Sequence, residues 1–221
     1  MRRVLITIPA YNATGTLREM IAQIRRRHQT LDILVVDDGS TDDSGRVALS
    51  AGAEVLTQSE NRGKGEALKA GFAYAIAHNY DAVITLDADL QHDPAEIQCF
   101  LNAYSDDRTI LVGIRRRDKT MPFARKVSNS LTSFVSSVFC GVRILDSQSG
   151  YRLIPTAILK NITLSSSRFD LEPELLIKAA RAGYDVKSVE ISTIYHTGRS
   201  WINPPIDTIR FLIMLMKSLF W

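Results

Sequence analysis

Short apolar runs followed at once by small, chemically loaded motifs constrain this chain more than anything else in it. Val4 to Ile8 runs into Pro9-Ala10-Tyr11-Asn12, and Ile33 to Val36 into Asp37-Asp38-Gly39-Ser40. Ala82 to Leu86 runs into Asp87-Ala88-Asp89, and Ile110 to Gly113 leads to Arg115. Each run has the length and character of a buried strand. Between them lie helical patterns: Leu17, Met20, Ile21 and Ile24 fall at i, i+3, i+4 and i+7. Ser44 to Ala51 reads as a helix stopped by Gly52, Glu54 to Leu56 as a short third strand, and Glu66 to His78 as another helix. Asp93-Pro94-Ala95-Glu96 is a helix start, with an Asp cap, Pro at the first position and Glu three residues on. Strands alternating with helices predict an α/β fold with a mostly parallel sheet. Such sheets bind ligands beyond the carboxyl ends of their strands, so the four motifs should converge on one edge.

Past Arg115 the pattern changes. A long helix is expected from about Phe123 to Phe139, then irregular chain, a helix near Glu174 to Ala182, and a strand from Tyr184 to Ile194. The 221 residues suffice for one large domain, 1–202, followed by a C-terminal amphipathic helix, 203–221. In that helix Asp207, Arg210, Lys217 and Ser218 form a narrow polar stripe. Ile206, Ile209, Leu212, Ile213, Leu215, Met216, Leu219 and Phe220 cover most of the rest. It suits a membrane interface, a protein partner or its own domain.

A net charge of +3 is too small to imply nucleic acid. The cluster Arg115, Arg116, Arg117, Lys119, Arg125 and Lys126 reads either as a phosphate or membrane-surface patch or as a solvated face. Cys99 and Cys140 belong to no CxxC or Cys/His cluster, which argues against a zinc site and for reduced thiols. The N-terminus has no long apolar signal region and no stretch spans a bilayer, so the expected location is the cytoplasm, peripheral to the membrane's cytoplasmic face.

Asp87-Ala88-Asp89 is the central chemical feature. Two carboxylates at a strand end repel each other, and a hard divalent cation resolves the repulsion, with Gln91 able to add an amide oxygen. A solvated acidic turn is the plain alternative. Asp37 or Asp38 can accept hydrogen bonds from a nucleoside, or can merely shape an Asx-type turn. Asn61-Arg62-Gly63-Lys64-Gly65 opens a helix and can attract phosphate, though it lacks the P-loop spacing.

In order, these motifs resemble the family 2 glycosyltransferases with the GT-A (Rossmann-like, three-layer) fold. The nearest subgroup is the dolichol-phosphate mannose synthase-like and polyprenyl-phosphate glycosyltransferases. The resemblance continues through Arg115 and Asp146-Ser147-Gln148-Ser149-Gly150-Tyr151-Arg152 to Glu174. It implies an inverting transfer from a UDP- or GDP-sugar to a lipid-phosphate or glycan acceptor, with Mg²⁺ or Mn²⁺. It implies that Pro9, Ala10, Tyr11, Asp37, Asp38, Lys64, Ala88, Asp89 and Arg115 bind the donor, and that Asp87, Asp89 and Gln91 hold the metal. Arg125, Arg152 and Arg199 would meet an acceptor phosphate. Asp146, then Glu174, would serve as base for a hydroxyl acceptor, with Arg115 and Arg125 balancing charge. Ala13 stands where the family often has Glu, and Tyr195 to Trp201 departs from the mannose synthase pattern, so neither guanosine nor mannose is inherited. A nucleotidyltransferase or dinucleotide oxidoreductase would carry a glycine-rich signature after the first strand, where Pro9-Ala10-Tyr11-Asn12 stands. A catalytically silent nucleotide-sugar-binding protein is the non-enzymatic alternative, and a homo-oligomer is left open.

Overall fold

β1 (Val4–Ala10) is buried along its whole length, which places it inside a sheet covered on both faces. The computed structural model describes residues 2–115, 137, 146, 149–192 and 204–218. It shows a seven-stranded sheet in the order β3-β2-β1-β4-β6-β5-β7. β2 (Asp32–Asp37), β3 (Glu54–Thr57) and β4 (Ala82–Thr85) join β1 in parallel pairings. β5 (Thr109–Arg115) and β7 (Asp185–Ile191) are parallel to each other. β6 (Arg152–Pro155) is antiparallel to both its neighbours, β4 and β5. The sheet is therefore mostly parallel, with one reversed strand.

Side-chain alternation along the strands builds two cores. Val4, Ile6 and Ile8 pack with Leu17, Met20, Ile21 and Ile24 of α1 (Thr14–Arg27), next to α2 (Ser44–Ser50) and α4 (Ile97–Ala103). Leu5, Leu34 and Val83 point the other way, onto Ala67, Leu68 and Phe72 of α3 (Lys64–Ala77). Leu171, Leu175 and Leu176 of α6 (Leu171–Arg181), and Ile158 of α5 (Thr156–Asn161), complete that second core. Burying one such side chain contributes roughly 2 kcal/mol, so the three layers rest on many comparable terms rather than a few.

The expected strands and helices of the first half are all present, with small changes at their ends. The start at Asp93 is a 3₁₀ turn, Pro94–Glu96, whose cap is real: Asp93 Oδ1 accepts from Ala95 N at 2.8 Å. The chain expected to be irregular before Glu174 instead contains β6 and α5, and α6 begins at Leu171. The helix expected over Phe123 to Phe139 lies outside the described residues except at Ser137.

α7 (Pro204–Ser218) lies against α6 rather than apart from the domain. Met214 and Leu215 enter the same core as α6, Ser218 is buried, and Arg181 donates to the Ser218 carbonyl. Ile209, Leu212, Ile213 and Met216 form the opposite face and are exposed.

Candidate active site

Parallel pairing aligns the ends of β1 and β2, with Ala10 opposite Asp37. Asp38 N donates to Ala10 O at 2.8 Å, so the two following loops start side by side. Asn12 takes a left-handed conformation (φ +50°) that asparagine tolerates. Its Oδ1 accepts from Thr41 N at 2.8 Å and Asp42 N at 3.3 Å, stapling the loops together. Pro9 and Ala10 are buried and Tyr11 is half-buried beside this seam.

The two aspartates after β2 are turned inward. Asp37 Oδ1 accepts from Ser40 N at 3.0 Å. Asp38 accepts from Arg62 N and Gly63 N, both at 2.8 Å. Burial pushes the Asp38 pKa above its ordinary value, outweighing those two hydrogen bonds. Asp38 is thus the acceptor around which the glycine-rich loop folds.

That arrangement takes part of the Asn61 to Gly65 backbone out of reach of a phosphate. The Arg62 and Gly63 amides are bound to Asp38, and the Glu66 amide donates to Gly63 O and Ser167 O. Gly63 has φ +100°, and a Cβ there would lie 2.8 Å from Ser167 O, so only glycine lets this loop meet the 167–168 segment. The cation of the motif faces the site. Lys64 Nζ lies 2.5 Å from Asp87 Oδ1 and 3.0 Å from Glu172 Oε1, with the Phe169 ring centroid 5.6 Å away. Burial alone would lower the Lys64 pKa; the Asp87 and Glu172 charges more than reverse this and hold the ammonium protonated.

Asp87 leaves β4 beside the start of β6. Gly150 makes room for it: a Cβ there would stand 2.5 Å from Asp87 Oδ2 and 2.6 Å from Oδ1. Thr85 Oγ1 donates to Gly150 O at 2.7 Å, which fixes the two segments together. Behind them His92 is buried against Tyr151, ring centroids 5.1 Å apart. Ala88 is half-buried, and Asp89 is exposed with Oδ1 accepting from Gln91 N at 3.0 Å. Protein packed around the Asp89 carboxyl, and the Asp87 charge, push its pKa up, though solvent screens part of the effect. Leu90 has φ +61°, strained for a branched side chain at the point where the chain must turn.

This donor set fits a hard divalent cation. It is oxygen-only, carries two carboxylates close enough to perturb each other, and opens to solvent at Asp89. Among the described residues no three His, Cys, Asp or Glu side chains are grouped to enclose an ion. Asp87 and Asp89 could hold a cation of the Mg²⁺ or Mn²⁺ kind, ions that commonly keep positions for phosphate and water.

Other expected site residues fare differently. Glu174 does not fit the role of base. It is 0% exposed, accepts from Ser165 N at 2.9 Å, Ser165 Oγ at 2.8 Å and Ser166 N at 2.7 Å, and pairs with Lys178 at 2.6 Å. Arg152 does not fit the role of acceptor-phosphate ligand. It is 1% exposed, and donates from Nε to Ser149 O at 2.8 Å and from Nη1 to Glu172 O at 2.6 Å. Its guanidinium ties the start of β6 to α6. Asp146 is buried, and Arg115 ends β5 opposite Ile191. Arg125 and Arg199 lie outside the described residues. Glu172 and Phe169 were not singled out from the sequence. Glu172 precedes the helix expected to start near Glu174, in chain expected to be irregular, and only the observed start at Leu171 puts it in a first turn.

Comparison with known proteins agrees with this geometry. Residues 5–162 match the model of the family described as glycosyl transferase family 2. The polyprenol monophosphomannose synthase of Mycolicibacterium smegmatis is 28% identical over 204 residues, covering 86% of this chain and 77% of its own. The UDP-N-acetylglucosamine–dolichyl-phosphate N-acetylglucosaminyltransferase of Methanococcus voltae is 28% identical over 216 residues, covering 87% of this chain and 86% of its own. Among solved structures, glucosyl-3-phosphoglycerate synthase from Mycobacterium tuberculosis in complex with UDP superposes with a TM-score of 0.78 at 21% identity. That match covers 98% of this chain and 80% of the other, and shows the shared GT-A fold. With the family match spanning the sheet edge that holds Asp38, Lys64, Asp87 and Asp89, this chain belongs to glycosyl transferase family 2 and is a glycosyltransferase.

Proposed function

We propose that the protein transfers a sugar, with inversion, from a nucleotide-diphosphate sugar to a polyprenyl phosphate at a membrane surface. The observation that carries this is the strand-end group of Asp87, Asp89 and Lys64. It offers two carboxylates for a cation and one ammonium for phosphate on a single edge. Relatives whose names specify polyprenol and dolichyl phosphate support the acceptor class. A solved neighbour carrying Mn²⁺ and UDP-glucose supports the donor and metal classes.

Pro9, Ala10, Tyr11 and Asp37 line the seam where a nucleoside would lie, with Ala88 beside the diphosphate. Asp87 and Asp89, with Gln91 at the rim, would hold Mg²⁺ or Mn²⁺, and the cation would stabilise negative charge on the departing nucleoside diphosphate. Lys64 and Arg115 would balance the rest of that charge. Arg125 stays the candidate for the acceptor phosphate, since a planar guanidinium donates two parallel hydrogen bonds. A phosphate acceptor is already ionised near neutral pH and needs no base. Commitment of Glu174 to Lys178 and to the Ser165–Ser166 donors is consistent with such a reaction. Asp146 would be called on only for a hydroxyl acceptor.

No helix among the described residues is long and apolar enough to cross a membrane. The outward face of α7, with Ile209, Leu212, Ile213 and Met216 exposed and Lys217 nearby, suits contact with a lipid surface. The decisive experiment incubates the protein with radiolabelled UDP- and GDP-sugars and membrane extract. Label in the organic phase, lost on omission of Mn²⁺ and Mg²⁺, is the expected outcome; label only in water-soluble product would overturn the acceptor assignment.

A further inference from the structure

Lys64 is held by two carboxylates at once. Its Nζ sits 2.5 Å from Asp87 and 3.0 Å from Glu172, in a place where the three side chains are only 16%, 28% and 7% exposed. A dication bound to Asp87 would share that carboxylate with the ammonium. Like charges at such range repel strongly where water is scarce. Lys64 must therefore give up Asp87 when a cation arrives. Its flexible four-carbon stem permits the move, and Glu172, on a different element, gives the ammonium a partner that the cation does not need. The donor's diphosphate supplies the other partner, since the incoming charge is negative and the ammonium has three donors.

We propose that Lys64 is an internal placeholder for the divalent cation, positioned by Glu172, which leaves Asp87 for the donor diphosphate so that cation and diphosphate bind as a coupled pair. The proposal rests on the donor and metal reading above. Glu172 is a positioning residue here: it acts on the cation only through Lys64. The arrangement keeps Asp87 neutralised in the resting protein, and it makes cation binding weak until a diphosphate is present to receive the ammonium.

The test is a Mn²⁺ titration of the full chain, followed by the electron paramagnetic resonance signal of the free ion, first alone and then with UDP or GDP. Lys64→Met should bind Mn²⁺ alone about tenfold more tightly than the wild type, the size of an ordinary coupling between sites. The gain in Mn²⁺ affinity on adding nucleotide should shrink accordingly. Glu172→Gln should shift the other way, to about threefold weaker Mn²⁺ binding, because Lys64 is left with Asp87 as its only carboxylate. A damaged fold would weaken binding in both variants, so opposite signs cannot arise from misfolding. Lys64→Gln gives a second, polar replacement should the Met variant melt early. Tighter binding in neither Lys64 variant, or tighter binding in Glu172→Gln, would overturn the placeholder role. Unchanged Mn²⁺-dependent nucleotide binding in Asp89→Ala would instead remove the metal reading beneath it.

Discussion

The loops after β2 and β4 each follow a buried strand with two aspartates, yet the carboxylates have opposite environments. Asp37 and Asp38 accept from backbone amides of their own and a neighbouring loop. Asp87 is held by a lysine side chain, and Asp89 reaches solvent. Backbone amides cannot leave without unfolding the loop, whereas an ammonium on a flexible stem can. The difference separates carboxylates that hold backbone in place from carboxylates that, on the proposal above, exchange ligands.

Mutation can break that comparison. Asp89→Ala should carry the largest effect, a loss of Mn²⁺-dependent nucleotide affinity on the order of 100–1,000-fold by calorimetry, with an unchanged melting temperature. Asp38→Ala should act in the reverse sense. It strands the buried Gly63 amide and the part-buried Arg62 amide and should lower unfolding free energy by about 2 kcal/mol in urea titrations. An Asp38 variant as stable as the wild type would erase the distinction between the loops.

Glu174→Gln sharpens the same contrast inside α6, where Glu172 faces Lys64 and Glu174 is locked away two residues later. Burial alone would raise the Glu174 pKa, but Lys178 and the Ser165 and Ser166 donors outweigh it and hold the carboxylate below its ordinary 4.5. A lowered folded pKa means the stabilisation is complete above the unfolded value and disappears as pH falls through the folded one. The variant should therefore be about 2 kcal/mol less stable at pH 7. The gap should hold down to about pH 5 and close below 4.5 in urea titrations. A gap that widened in acid would contradict the assigned ion pair.

The parallel half of the fold was legible because β1, β2 and β4 are almost wholly buried apolar runs and their motifs fall at their ends. β6 was not, for physical reasons. It is four residues long, opens with Arg152 and closes with Pro155, so its burial comes from its neighbours and not from an apolar run. Arg152 itself shows the limit of reading roles from residue type. A guanidinium suits phosphate, and equally suits two backbone carbonyls in a buried corner. The sequence favours Glu174 over Glu172, and only the opposing segments, which lock Glu174 to Lys178 and set Glu172 against Lys64, reverse that order. The Asp87-Ala88-Asp89 pair stood out in sequence because it follows an apolar strand, but spacing alone left it as either a cation site or a solvated acidic turn.

The reversed direction of β6 has a consequence for how such proteins diversify. The chain leaves the sheet at the end of β5 and returns on the adjacent antiparallel strand, where Gly113 N meets Tyr151 O at 2.8 Å. The intervening stretch therefore starts and finishes about one strand spacing, ~5 Å, apart, on the edge where Asp87 waits. A segment tethered in this way can grow, shrink or be exchanged between relatives without shifting the register of any other strand, because each added residue costs little loop entropy. The length of that connection can thus change while the sheet whose edge holds Asp38, Lys64 and Asp87 keeps its register.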